Sequence, residues 1–158
     1  MFDVTVDFPK MKVAVLTRED RVVEIRYLPL SSPGVLPKNA LAEEAARQLE
    51  RYREDPDTVF DLPLAIEGSP FQKSVWQAMC AIPRGKTRTY GDIAKELGGE
   101  ARVVGQACGD NRLPIVIPCH RVVAANGIGG FAHSTGGYLL EAKRWLLLHE
   151  TGEFALRP

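Results

Sequence analysis

TYGDIAKELGGEARVVGQACGDN, residues 89–111, is the stretch on which the fold turns. Thr89 can cap a helix whose apolar positions Ile93 and Leu97 lie four apart, and Gly98-Gly99 stops it. A second helix restarts at once, with Val103 and Ala107 on one face and Gly109 at its end. Two short helices joined by a glycine-containing turn make a helix-turn-helix or an ordinary αα-hairpin. Charge favours the first. From Phe71 to Val122 eight basic residues stand against four acids, although over the whole chain 20 Lys+Arg balance 20 Asp+Glu. Such a locally basic segment can neutralise nucleic-acid phosphates although the global charge is zero.

Upstream, SPFQ (69–72) opens another helix: Ser69 as N-cap, Pro70 at the first helical position, Gln72 closing a capping box. Phe71, Val75, Trp76 and Met79 form its buried face, with Cys80 expected in the interior or at its edge. Between Glu54 and Pro70 the periodicity fades and Pro56, Pro63 and Gly68 interrupt the chain, which marks a domain boundary. The N-terminal third alternates like strands in FDVTVDF, KVAVLT and RVVEIRYL. A helix follows from a cap at Asn39, with Leu41, Ala45 and Leu49 four apart. This gives an α/β (α+β) chain with domains 1–66 and 67–158, the first without a catalytic constellation and expected to support the second.

At 158 residues, 45% hydrophobic and 25% charged, the chain can bury a real core in one large or two small domains. Neither a signal-peptide stretch nor an apolar run of membrane-spanning length is present. Three cysteines, an odd number without close pairing, predict reduced thiols and a cytoplasmic setting. The cysteines show no C-x-x-C spacing and the histidines no H-x-x-x-H, so no metal is expected.

Downstream of the two helices, IVIPCHRVV (115–123) reads as a buried strand that ends in a thiol beside an imidazole. Sulfur is a nucleophile only as thiolate, and an adjacent base raises that fraction. Neighbouring side chains on a regular strand point to opposite faces, so His120 can assist Cys119 only if the chain turns there, or through a water. Pro118, which cannot donate to a ladder, favours such a break. Glu150, in the C-terminal helix, is a candidate to orient His120. From these residues alone, Cys119 as a small buried hydrophobe and His120 as a core histidine is the commoner reading.

PCHRV, preceded by GDNRLP and by FQKSVW, IPRGKTRTYGDIA and ARVVG, and followed by a glycine-rich loop and KRWLLLHE, resembles the O6-alkylguanine-DNA alkyltransferases, the methylated-DNA–protein-cysteine methyltransferases. The resemblance runs from Phe71 to about Gly152. It implies a ribonuclease-H-like N-terminal domain and a winged-helix-like helix-turn-helix C-terminal domain. It also implies irreversible, single-turnover transfer of an alkyl group from O6-alkylguanine in double-stranded DNA to Cys119, without cofactor. O4-alkylthymine is a further candidate substrate. The protein is expected to act as a monomer, with cooperative binding on DNA left open.

The resemblance also implies the roles of individual residues. His120 is the water-bridged base, Glu150 its orienting partner, and Asn111 the residue that holds the helix-turn-helix to the active-site segment. Tyr90 meets the flipped guanine, Val122 offers backbone groups to its edge, Phe131 supplies an aromatic wall, and Lys143 lies near the site. Arg102 is the finger that fills the vacated place in the base stack, with Ala101, Gly105, Thr89 and Arg121 also facing DNA. The loop Gly127–Gly137 departs from the family pattern by about two residues, which leaves open its register and which N–H faces O6.

Overall fold

The structure is a computed structural model that describes residues 1–129 and 137–152. The chain divides into two compact units, Met1–Ile66 and Glu67–Pro158, each with mixed helix and strand.

In the first unit, β1 (Val4–Asp7), β2 (Lys12–Arg18) and β3 (Arg21–Leu28) form an antiparallel sheet in the order β1-β2-β3. Glu19 and Asp20, both at positive φ, make the two-residue turn whose twist suits a hairpin. Helix α1 (Ala40–Glu54) starts at Asn39, whose side chain accepts the Ala42 N–H at 2.8 Å. Its buried face is Ala42, Ala45, Ala46, Gln48, Leu49 and Tyr52, so Ala42 takes the place expected of Leu41. The small residues let the helix lie close on a sheet of buried valines. Gln48 spends its amide on the segment after the helix, donating to Asp61 O at 3.0 Å and accepting from Asp61 N at 2.8 Å. Val22 N donates to Pro63 O and Ala65 N to Val22 O, which keeps residues 61–65 with this unit, up to the break after Ile66.

The second unit begins with α2 (Pro70–Cys80), whose Ser69–Gln72 capping box closes in both directions. Val75, Trp76, Ala78 and Met79 are buried, whereas Cys80, expected in the interior or at its edge, is exposed at the last position of the helix. Helix α3 (Tyr90–Leu97) has its own box, Thr89 with Asp92, and ends on Gly98 at φ +74. There L side chains are strained, and glycine is not. Helix α4 (Ala101–Gly109) follows after three residues and buries Val104, Ala107 and Cys108, one position on from the expected Val103. Trp76 Nε1–H donates to Ala107 O at 2.9 Å, tying α2 to α4 and satisfying a buried indole. A two-residue parallel pair, β4 (Arg88–Thr89) with β5 (Val122–Val123), and helix α5 (Gly137–Thr151) complete the unit. No helix among the described residues is long and apolar enough to cross a membrane.

Candidate active site around Cys119

The segment before the thiol is not the buried strand expected from its aliphatic residues. Residues 112–118 form turns, and Cys119–Arg121 is a single 3₁₀ turn. Two prolines, Pro114 and Pro118, remove ladder donors, and side-chain hydrogen bonds replace the missing partners. Asn111 Oδ1 accepts from Leu113 N at 2.9 Å, while Asn111 Nδ2 donates to Ile117 O at 2.8 Å. Cys119 N then donates to Ile117 O at 2.8 Å across Pro118, whose φ −80 and ψ 70 are those of an inverse γ-turn. Ile115, within this loop, sits at φ +72, costly for a β-branched residue by about 1–3 kcal/mol. The break in the strand removes the alternation that would have sent adjacent side chains to opposite faces. Cys119 and His120 are both buried.

Asn111→Ala is expected to destabilise the protein by about 2 kcal/mol, because it leaves the Leu113 N–H without its partner and the Ile117 carbonyl with the Cys119 N–H alone in a part-buried loop. A urea titration measures this, and Asn111→Asp, which keeps only the acceptor, should fall between the two.

His120 and Glu150 come together although 29 residues separate Glu150 from Arg121. His120 Nε2 lies 2.9 Å from Glu150 Oε2, close but off the line of an ideal hydrogen bond. The same carboxylate takes both ends of the Arg121 guanidinium, Nε to Oε1 at 2.9 Å and Nη2 to Oε2 at 2.9 Å. The third arm of that guanidinium donates to Ile82 O at 2.7 Å. Arg121 was expected to face DNA; instead its guanidinium is held inside this unit, 15% exposed beside a carboxylate that is 1% exposed. Arg84 reinforces the corner by donating to the Glu150 backbone oxygen at 3.1 Å.

Burial sets the protonation states. It pushes the Cys119 thiol up to about 11, against a smaller pull down from the Asn111 side chain and the Lys143 charge. At pH 7 only about one thiol in 10⁴ is then ionised. Burial above all, with the Arg121 and Lys143 charges acting in the same direction, lowers His120 below its ordinary value against the pull of Glu150, so the ring is neutral at pH 7. With Glu150 beside Nε2, the proton belongs on that nitrogen and Nδ1 is the free acceptor. No hydrogen-bond partner for Nδ1 occurs among the described residues.

A second group of residues lies around Tyr90. Lys143 is fully buried on α5, and its Nζ donates to Val122 O at 2.8 Å and lies 3.5 Å from the Tyr90 hydroxyl. Burial pushes this ammonium down to about 8 and the Tyr90 hydroxyl well up, the latter with help from the Cys108 and Cys119 thiols. Tyr90 is therefore a neutral phenol, a donor, at any physiological pH. Gly129, at φ +75, closes over it: a Cβ there would stand 3.1 Å from the Tyr90 ring and 3.2 Å from its hydroxyl. That close approach, missed in the sequence, had one signal, a glycine at the start of the loop. Cys108 is buried with its Sγ 3.7 Å from Met79 Sδ and its pKa raised to about 12.

The remaining residues lie on α3 and α4. Arg102 is 72% exposed in the first turn of α4, with Glu100 as a loose partner at 3.8 Å. Ala101 is exposed, Gly105 is half-buried where an added Cβ would meet the Tyr90 ring at 4.0 Å, and the Thr89 hydroxyl serves as the α3 cap. Phe131 and His133 lie outside the described residues.

The family model of the 6-O-methylguanine DNA methyltransferase DNA-binding domain matches residues 70–152. A methylated-DNA–protein-cysteine methyltransferase of Methanosarcina acetivorans is 49% identical over 107 residues, 66% of this chain and 65% of that protein. The matched region thus spans just under two thirds of that relative's length. The Mycobacterium tuberculosis O6-methylguanine methyltransferase superposes with a TM-score of 0.77 at 32% identity, over 100% of this chain and 96% of the other. The same organism's OGT in complex with DNA gives 0.76 at 35% identity, over 94% and 91%.

Proposed function

On the premise that this chain belongs to the 6-O-methylguanine DNA methyltransferase family, we propose that it repairs DNA by moving the alkyl group of O6-alkylguanine irreversibly onto its own Cys119. The observation that carries this reading is a buried thiol next to a neutral, Glu150-oriented imidazole. A soft sulfur suits displacement at carbon, and a free Nδ1 suits removal of the thiol proton.

The Cys119 proton passes to His120 Nδ1, directly or through a water. The sulfur lone pair forms a bond to the alkyl carbon, and the bond from that carbon to O6 breaks. Its electron pair stays on the guanine, which takes a proton through the Tyr90 hydroxyl; the Lys143 ammonium beside it, pushed down to about 8, refills the phenol, so no phenolate is left. Val122, whose carbonyl is held by Lys143, offers its backbone to the base edge. A thioether has no hydrolysable bond, so each chain acts once.

Alkylated O6 lies inside the base stack, so the guanine must leave it, at about a few kcal/mol. Exposed Arg102, at the start of a helix with Ala101 and Gly105 nearby, is suited to fill the gap. In this reading residues 67–158 carry DNA binding and chemistry, and residues 1–66 support them. Lesions occur in any sequence context, which calls for backbone contacts and not base reading.

Intact-mass measurement with peptide mapping, after mixing with a duplex bearing one O6-methylguanine, tests the proposal. One methyl per chain on Cys119 and no further reaction is expected; stable binding without mass gain would mean a damage reader. Arg102→Ala should slow repair of duplex DNA by about tenfold or more, as expected for loss of a charged contact of about 1.5–3 kcal/mol, and leave reaction with free alkylated guanine nearly unchanged. Equal losses on both substrates refute the finger role.

A further inference from the structure

We propose that Arg121 is a positioning residue for the transfer: clamped on both oxygens of Glu150, its guanidinium keeps His120 in the neutral form that can accept the Cys119 proton. The proposal rests on Cys119 as the acceptor, and it gives Arg121 a task other than holding DNA. All its named contacts point inward, to Glu150 Oε1 and Oε2 and to Ile82 O.

The reason is a competition for one carboxylate. A histidine buried against a lone carboxylate gains by protonation, because the pair then becomes ionic in a poorly solvated place. Such an imidazolium carries protons on both nitrogens and cannot take another from the thiol. Here the carboxylate already has a cation. Arg121 keeps its charge at any pH, and its bidentate grip both satisfies Glu150 and repels a second positive charge on the ring. Glu150 can then orient Nε2–H without drawing a full proton onto Nδ1.

The other charged and titratable groups near this ring support that direction. From its own turn come Cys119, a thiol at neutral pH, and Arg121. From α5 come Glu150 and the Lys143 ammonium, the latter opposing protonation of the ring. The chain after α2 brings Arg84, bonded to the Glu150 backbone oxygen, and α2 itself ends in Cys80, an exposed thiol. Glu150 alone favours the imidazolium.

The test reads His120 directly, by nitrogen NMR of histidine-labelled protein, assigned with His133→Gln and His149→Gln variants. The wild-type ring is expected neutral at pH 7, with its proton on Nε2 and its midpoint below 6.5. In Arg121→Met the midpoint should rise by about one unit or more, a tenfold shift, and the acid limb of Cys119 alkylation by iodoacetamide should move up with it. Arg121→Lys, which keeps the charge, should stay near wild type. If Arg121→Met does not fold, Arg121→Gln is read in the same way. An unchanged midpoint in a folded charge-removing variant, or a wild-type ring already protonated at pH 7, overturns the proposal. Neither readout uses DNA, so failure of methyl transfer would refute the repair function while leaving the role of Arg121 to be decided separately.

Discussion

Cys119→Ala should abolish methyl transfer completely while leaving the protein folded and able to hold an O6-methylguanine duplex. The change removes a single sulfur atom from a buried site, so the stability cost is about 1 kcal/mol. No other sulfur can take its place. Cys80 is exposed at the end of α2, and Cys108 faces Met79 with its pKa pushed up to about 12. Neither has an oriented imidazole beside it among the described contacts. Intact mass and gel-shift assays on the same sample separate the two properties: no added methyl, binding retained. A methyl group appearing on Cys108 would show that thiol burial and not the His120–Glu150 pair selects the acceptor.

Glu150→Gln should have the second largest effect, and on two quantities at once. The carboxylate holds His120 at 2.9 Å and the two Arg121 nitrogens at 2.9 Å each, with its own side chain 1% exposed. An amide presents its NH₂ to at least one of those donors, so a guanidinium is left poorly paired in a buried place. Breaking such a pair costs about 3–5 kcal/mol, a large part of the 5–15 kcal/mol that holds a typical domain together. The transfer rate should fall by roughly 10²–10⁴ through loss of the oriented base. Urea unfolding gives the first number. Single-turnover kinetics, run well below the unfolding midpoint, give the second. Loss of stability with an unchanged rate would make Glu150 a structural anchor and leave His120 without a role in proton removal.

The elements themselves were largely legible in the sequence, because their ends are decided locally. Asn39, Ser69 and Thr89 cap helices through hydrogen bonds that span only three residues, and Gly98 ends α3 through its own backbone freedom. Faces were less legible. Leu41 and Val103 gave way to Ala42 and Val104, since which side of a short helix is buried depends on the approach of its neighbour. The aliphatic run before Cys119 suggested a strand, but two prolines and the Asn111 amide close it into turns.

For the site, the sequence by itself determined which chemistries were available: a thiol next to an imidazole, a lysine and a glutamate on the last helix, an arginine at the start of α4. Residue type and adjacency are covalent facts, and they need no fold to be read. Whether those groups could act together was decided only by tertiary structure. The turn at Pro118 removes the strand alternation, the buried face of α5 brings Glu150 and Lys143 in from far along the chain, and burial sets which of them hold their protons. Arg121 shows the difference most sharply. Its charge suggested a phosphate, but a guanidinium goes to the partner that satisfies most of its donors, and Glu150 with Ile82 does so inside the fold. Sequence lists the donors; only three dimensions tell which acceptor reaches them.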